Sequence, residues 1–338
     1  MDFRSDTFTQ PTPAMLEAML QARTGDDVFG EDPTVQELEA RMAALFDMEA
    51  ALYCPSGTMS NQIAIKVHTR SGDEVICSSL AHVYIYEGGG IAFNSSAQAR
   101  PIDGDRGMIT AADVAAAVNP ADDDHKATSS LVCLENTSNR GGGCCYDWNE
   151  ILRIRQTCLD HNLRLHLDGA RLFNALLSTG QQAAEYGRVF DSISVCLNKG
   201  LGCPIGSVLI GSRDFIREAK RVRKKLGGGM RQAGYMAATG IYALDHHIDR
   251  LAEDHAHAKA IAAALLEQTF VGHMLPVETN ILIFEVYGDW TPVKFRDYLA
   301  KYGIRVMAIS PTQVRIVTHL GITPEMVRKT VDVIRTMS

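Results

Sequence analysis

The strongest constraint on the fold is the alternation of short apolar runs with helix-length stretches over about 200 residues. The runs fall at 51–54, 74–77, 131–134, 164–167, 192–196 and 207–210. Several are apolar without interruption, which is typical of strands that are buried on both faces of a mostly parallel sheet. Strands that alternate with helices predict an α/β open sheet with ligands at the carboxyl ends of the strands.

The pattern changes near residue 250, which suggests a second domain. A helical stretch at 251–268 is followed by strand-like runs at 281–286 and 314–318 and by a helix at 293–302. A last helix is expected to begin at Thr323 and Pro324, a capping residue followed by a proline in the first turn. We therefore expect a large α/β domain over 1–250 and a smaller α/β domain over 251–338.

Composition excludes several classes of protein. The chain has 33 basic and 40 acidic side chains, and the resulting charge of −7 argues against general nucleic-acid binding. No apolar run approaches the roughly 18 residues of a membrane span, and the first residues lack the apolar core of a signal peptide. Eight cysteines are too few for a disulfide scaffold of this length. We expect a soluble protein of the reducing cytoplasm, without nucleic-acid or membrane partners.

The histidine-rich stretch 246–257 does not predict a metal site. His255 and His257 are two residues apart and would point about 200° away from each other on a helix. We expect these side chains on a solvated helix surface, and we expect no metal site in the chain.

Three segments place reactive side chains where predicted strands end. Asp168 closes an apolar strand, where it could cap a helix or meet a cationic ligand group. Lys199 follows another such strand, where it could be solvated or be desolvated enough to supply the neutral amine that Schiff-base chemistry needs. Ser56, Gly57 and Thr58 start a helix after a strand, and free amides there would form an anion site.

Taken together, the anion site, His82, Asp168 and Lys199 match what pyridoxal phosphate needs: a phosphate cradle, a stacking face, a partner for the pyridinium nitrogen and a Schiff-base lysine. The chain also closely resembles the threonine aldolases, pyridoxal-phosphate enzymes of fold type I, nearly from end to end. The matching segments are DFRSDT at 2–7, GEDP at 30–33, PSGTMSN at 55–61, HVYIYE at 82–87, HLDGAR at 166–171, NKGLG at 198–202, GGGMRQ at 227–232 and VRIVTH at 314–319.

The resemblance implies a large, mostly parallel sheet of seven strands and a role for each matched residue. Lys199 would bind the cofactor aldehyde, Asp168 would keep the ring nitrogen protonated, and His82 would stack on the ring. Ser56, Gly57 and Thr58 would hold the phosphate. Ser5, Arg171 and Arg315 would bind the substrate carboxylate, with Arg171 also beside the cofactor, so the first 20 residues would contribute to the site.

The resemblance further implies an oligomer. In the family, the positions of Lys224 and Arg231 face the cofactor phosphate of a neighbouring subunit, and a homotetramer is usual. The basic run 220–225 that contains Lys224 would otherwise be a solvated helix face. The small residues of 233–240 allow close helix packing, which is consistent with an interface.

The implied reaction is the retro-aldol cleavage of L-threonine, L-allo-threonine and related β-hydroxy-α-amino acids to glycine and an aldehyde. His82 is the first candidate for the base that takes the β-hydroxyl proton. His125 is the second, although its polar setting is equally typical of a surface histidine. Another pyridoxal-phosphate reaction, β-elimination or transamination, would use the same residues. Ser138 stands where many family members have histidine, which leaves the substrate contacts of that loop open.

Overall fold

The computed structural model describes residues 1–337 and confirms the two predicted sheets. The large sheet has seven strands in the order β1-β7-β6-β5-β4-β2-β3, and only β7 runs antiparallel to its neighbours. Its strands are β1 Ala50–Cys54, β2 Glu74–Ser78, β3 Gln98–Ile102, β4 Ser129–Glu135, β5 Arg164–Asp168, β6 Ser192–Cys196 and β7 Ser207–Gly211.

Helices cover both faces of this sheet, and alternate strand residues face opposite sides. In β4, Val132 and Leu134 belong to the main core, whereas Leu131 and Cys133 pack in a second core on the other face. The helices of the large domain are α1 Pro13–Leu20, α2 Pro33–Leu45, α3 Gly57–His68, α4 His82–Ile85, α5 Gly90–Ser95, α6 Ala111–Ala117, α7 Trp148–Asp160, α8 Leu172–Thr179, α9 Ala183–Val189, α10 Arg213–Lys225 and α11 Gly234–His246.

The second sheet is antiparallel and forms the core of the small domain. It has the order β10-β11-β9-β8, with β8 Val271–Met274, β9 Ile281–Val286, β10 Met307–Ala308 and β11 Gln313–Val317. Three helices complete the small domain: α12 Leu251–Leu266, α13 Pro292–Ala300 and α14 Pro324–Arg335. Thr323 caps α14 ahead of Pro324, as the sequence predicts.

The first residues of the chain pack against the small domain. The amide of Phe3 donates to the carbonyl of Arg305 at 2.8 Å, and the carbonyl of Phe3 accepts from the amide of Val317 at 2.8 Å. The Phe3 side chain is buried in the core of the small domain. The first residues of the chain therefore belong to the core of the small domain.

The small residues of α11 allow close packing, as expected, and they do so inside the chain, where Gly234 leaves room for the Asp32 carboxylate and Gly240 for Leu38. One expectation about surfaces is wrong. His255 is buried, and its Nε2 lies 3.0 Å from Asn174 Oδ1. Burial lowers the pKa of His255 to about 4, so this side chain is neutral and structural. Within residues 1–337, no helix has the length and hydropathy that a membrane crossing requires.

Candidate active site

The carboxyl ends of β4, β5 and β6 meet beside a cavity of about 470 Å³ between the two domains. Five predicted residues line it: Ser5, His82, Arg171, Lys199 and Arg315. A larger open groove of about 1810 Å³ lies at the opposite edge of the sheet and contains none of the predicted site residues. The cavity at the carboxyl edge is therefore the candidate site.

Lys199 lies in the turn that follows β6. The turn is closed by the amide of Gly202, which donates to the Lys199 carbonyl at 2.9 Å, and Gly202 has a left-handed φ of 80°. Lys199 is half-buried, and its Nζ has no hydrogen-bond or ion-pair partner among the described residues. A free amine that faces a cavity fits a cofactor with an aldehyde group.

Asp168 ends β5 and is 2% exposed. Its carboxylate accepts from the Asn61 amide at 2.9 Å and from the Ala170 backbone at 3.1 Å. The helix that follows begins at Leu172 with Arg171 at the N-cap position, so Asp168 is not that helix's cap. A buried carboxylate beside the cavity suits a protonated ring nitrogen.

The predicted anion site lies at the start of α3, and its residues do not line the cavity themselves. Ser56 is the N-cap of α3, and its Oγ accepts from the Met59 amide at 3.2 Å. The amides of Gly57 and Thr58, in the first turn, have no partner in the described part of the chain. A Cβ on Gly57 would overlap Cys196 Sγ, so glycine lets this helix start approach the end of β6.

Arg171 is held by Asp6 more tightly than the sequence suggests. Its Nε and Nη2 donate to the two Asp6 oxygens at 2.6 and 2.8 Å, and both side chains are buried. Burial by itself raises the pKa of Asp6, but the Arg171 charge and hydrogen bonds outweigh it and lower this pKa to about 2. Arg171 therefore offers the cavity only its remaining nitrogen, Nη1.

Arg315 lines the cavity and has no acidic partner within residues 1–337. Its Nη1 donates to Asn139 Oδ1 and its Nη2 to the Arg4 carbonyl, each at 3.1 Å, while the buried Nε has no partner within residues 1–337. Burial and the nearby Arg171 charge lower the pKa of Arg315. A substrate carboxylate in the cavity would offset this repulsion, which fits an amino-acid substrate.

His82 begins α4 and is anchored by two carboxylates that the sequence analysis did not assign. Its backbone amide donates to Glu135 at 2.7 Å, and its Nδ1 lies 3.0 Å from Glu87 Oε1. Burial and the charge of Asp168 raise the pKa of Glu135. Side-chain ligand atoms of His82, Glu87 and Asp168 lie within 4.8 Å of one another, a spacing that a metal ion could also use. The expected absence of metal stays a prediction.

Three predicted residues lie away from this cavity. His125 is exposed in the loop before β4, at the opposite edge of the sheet, and does not reach the cavity of its own chain. Lys224 is exposed in the last turn of α10, and Arg231 is exposed and paired with Asp26 at 2.8 Å. Their roles towards a second copy of the chain stay predictions.

Ser138 has a structural role in this fold. Its Oγ donates to the Arg106 carbonyl at 2.9 Å and accepts from the Gly141 amide at 3.2 Å. It is buried and does not line the cavity, whereas its neighbour Asn139 does. The serine therefore stabilises the loop that presents Asn139 to Arg315.

The fold and these residues define a pyridoxal-phosphate-dependent enzyme of fold type I. A profile of the beta-eliminating lyase family matches residues 2–287. The low-specificity L-threonine aldolase of Escherichia coli is 42% identical over 326 residues, covering 96% of this chain and 95% of that protein. Low-specificity L-threonine aldolase 1 of Arabidopsis thaliana is 40% identical, covering 98% and 94%. The chain thus belongs to the beta-eliminating lyase family, among its L-threonine aldolases.

A solved structure shares the fold. The threonine aldolase of Leishmania major superposes with a TM-score of 0.86 and 22% sequence identity, covering 99% of this chain and 98% of that one.

Proposed function

We propose that this enzyme cleaves L-threonine, L-allo-threonine and related β-hydroxy-α-amino acids to glycine and an aldehyde, with pyridoxal phosphate as cofactor. The observation that carries the proposal is that a free lysine, Lys199, and a guanidinium without an acidic partner, Arg315, face one cavity. That pair can take up the cofactor aldehyde and a substrate carboxylate side by side. The identity of about 40% to named threonine aldolases over nearly the full length supports the choice of reaction.

Each side chain has a defined task in this reaction. Arg315 lines the cavity and binds and orients the substrate carboxylate. Asp168, whose carboxylate is fixed by Asn61, would hold the ring nitrogen of the cofactor in its protonated form. His82 accepts the β-hydroxyl proton as the Cα–Cβ bond breaks. When bound, pyridoxal phosphate supplies the ring that stabilises the negative charge developing at Cα.

The test is aldehyde release from purified, cofactor-loaded protein. L-Threonine and L-allo-threonine are given separately, and acetaldehyde is followed by coupled reduction. We expect release from at least one diastereomer, loss of release in Lys199→Ala, and normal release in Lys329→Ala, which removes an exposed lysine of α14. Ammonia and a keto acid in place of glycine and acetaldehyde would show β-elimination instead.

We also propose that the active enzyme is a cytoplasmic homotetramer whose sites are shared between two subunits. Lys224 and Arg231 are exposed, and Arg231 lies over the ring of Phe29. Phe29 and Met230 are 74% and 42% exposed. If Arg231 completes the partner's site, a mixed pair of one Lys199→Ala and one Arg231→Ala subunit contains one intact site. Mixing the two inactive variants should then restore up to about a quarter of all sites. No recovery after subunit exchange would place Arg231 outside the shared site.

A further inference from the structure

A buried polar cluster lies beneath His82 on the side away from solvent, and its central member is Glu87. We propose that Glu87 is a positioning residue that fixes the orientation and the proton of the His82 imidazole and leaves Nε2 as the nitrogen that accepts the substrate proton. The inference rests on the proposed function, because it assigns the device that prepares His82 for that role. The Nε2 atom has no hydrogen-bond partner among residues 1–337, and His82 lines the cavity.

Both oxygens of Glu87 receive hydrogen bonds. Oε1 accepts from Asn61 Nδ2 at 2.9 Å and lies 3.0 Å from His82 Nδ1. Oε2 accepts from Gln62 Nε2 at 2.6 Å. The Glu87 side chain is fully buried, so it cannot rotate into solvent. Two amides therefore hold the carboxylate in one position against the ring.

The neighbours of the two amides determine which way each amide points. Asn61 Oδ1 accepts from Ser194 Oγ at 2.6 Å and faces His166 Nε2 at 3.2 Å. Gln62 Oε1 accepts from Asn94 Nδ2 at 3.2 Å. Both NH₂ groups must then face Glu87, which acts only as an acceptor. The hydrogen between Glu87 and His82 consequently belongs to Nδ1 of the ring.

Asn61 also connects this cluster to the cofactor-binding carboxylate. Its two amide hydrogens go to different acids, one to Glu87 and one to Asp168 Oδ2, each at 2.9 Å. One amide thus fixes both the carboxylate that orients the base and the carboxylate assigned to the ring nitrogen.

The local sequence makes this approach possible. Glu87 follows the short helix α4 and precedes Gly88 and Gly89, which have left-handed φ angles of 62° and 72°. A Cβ on Gly90 would come within 2.5 Å of the Gln62 amide. The three glycines turn the chain away after Glu87 and leave space for Gln62 beside it.

The charged groups around His82 come from four elements. Glu87 and Tyr86 follow α4, Glu135 ends β4, Asp168 ends β5 and Lys199 follows β6. Burial and the Lys199 charge lower the pKa of His82. The hydrogen bond to Glu87 and the negative charges of Asp168 and Glu87 raise it and outweigh them, so the pKa of His82 is raised overall. Removal of the Glu87 charge should lower it.

The test measures the titration of His82 without relying on turnover. Diethyl pyrocarbonate acylates an imidazole only in its neutral form. The rate at which His82 is modified, located by mass spectrometry and measured at a series of pH values, therefore gives the midpoint of the His82 titration. The full-length protein is used with and without pyridoxal phosphate, and protection by the cofactor identifies the site. We expect Glu87→Gln to lower the midpoint by about one pH unit or more, and to move the acidic limb of kcat/KM in the same direction.

Glu135→Gln is the matched control, because it removes another buried carboxylate that bonds to the His82 backbone rather than to its ring. A clearly smaller shift in this variant supports the proposal, whereas equal shifts in both variants would mean a general charge effect and overturn it. If Glu87→Gln does not fold, Gln62→Met removes one donor from Glu87 and should raise the midpoint. A midpoint that falls or stays unchanged in that variant would also overturn the proposal.

The outcomes separate this inference from the proposed function. A midpoint that moves as expected in a protein without aldolase activity supports the His82–Glu87 pair and rejects the reaction. Aldolase activity together with an unmoved midpoint in Glu87→Gln rejects the pair and leaves the reaction in place.

Discussion

The Asp6–Arg171 pair predicts a large and pH-dependent loss of stability in Asp6→Asn. The variant keeps the shape of the side chain but removes its charge from a site where Asp6 is 0% and Arg171 is 5% exposed. Lowering the Asp6 pKa from 3.8 to about 2 corresponds to about 2.4 kcal/mol of stability at neutral pH. The buried Arg171 would also lose its partner, so the total loss should reach about 3–5 kcal/mol.

The pH dependence has a defined sign. Because the folded-state pKa of Asp6 is depressed, its contribution is complete above about pH 4 and is lost as pH falls towards 2. At pH 3, about half of the 2.4 kcal/mol should remain. The difference between wild type and Asp6→Asn should therefore narrow as the solution becomes acidic.

Urea unfolding at a fixed protein concentration, followed by the fluorescence of the two tryptophans, measures this difference at each pH. Asp2→Asn is the control from the same segment. Its pair with Arg4 is 26% and 33% exposed, so we expect a loss below about 1 kcal/mol. A loss below about 1 kcal/mol in Asp6→Asn, or a loss of equal size at pH 7 and pH 3, would contradict a stabilising buried ion pair between Asp6 and Arg171.

Three other substitutions test separate parts of the site and fold. Arg315→Lys should raise KM for threonine about tenfold or more, because an ammonium cannot reproduce the two parallel hydrogen bonds of a guanidinium. The Kd of pyridoxal phosphate should change little. Steady-state kinetics and cofactor titration measure the two constants. Gly57→Ala should lower the free energy of unfolding by about 1–3 kcal/mol and weaken cofactor binding, because the new Cβ overlaps Cys196 Sγ. Adding Cys196→Ala to the same chain should restore part of the stability and part of the cofactor affinity. Thr323→Ala should lower the free energy of unfolding by about 1 kcal/mol without altering KM.

The strands of the large sheet that are buried could be predicted from sequence to within two residues. Their apolar runs are local signals, and β6 coincides with the predicted 192–196. The edge strand β3 was missed because its sequence, which includes Arg100 and Pro101, contains no apolar run. The strand pairs with β2 alone, so it does not need one. The surface assignment of His255 was wrong because the burial of a helix face depends on what packs against it, which local spacing does not encode.

The residues of the candidate site also fall into those with a local signal in the sequence and those without one. Lys199 and Asp168 could be found because Asp168 ends a strand and Lys199 lies in the turn after one, so the fold class alone places them at one edge of the sheet. Asp6 and Glu87 carry no such signal. Asp6 acts on Arg171, 165 residues away. Glu87 depends on two amides of α3 that are 25 and 26 residues away in the sequence. Their segments resemble the family, but only the tertiary structure shows what these carboxylates contact.

The residues assigned to the cofactor and the arginine assigned to the substrate lie on different domains. The groups assigned to the cofactor, including Lys199 and Asp168, lie on the large domain, whereas Arg315 comes from β11 of the small domain and bonds to the carbonyl of Arg4. The amino-terminal segment is itself hydrogen-bonded to the small domain through Phe3. Changes in the small domain should therefore act on the substrate carboxylate before they act on the cofactor. For this reason, substrate KM and cofactor Kd should respond separately to substitutions in the two domains.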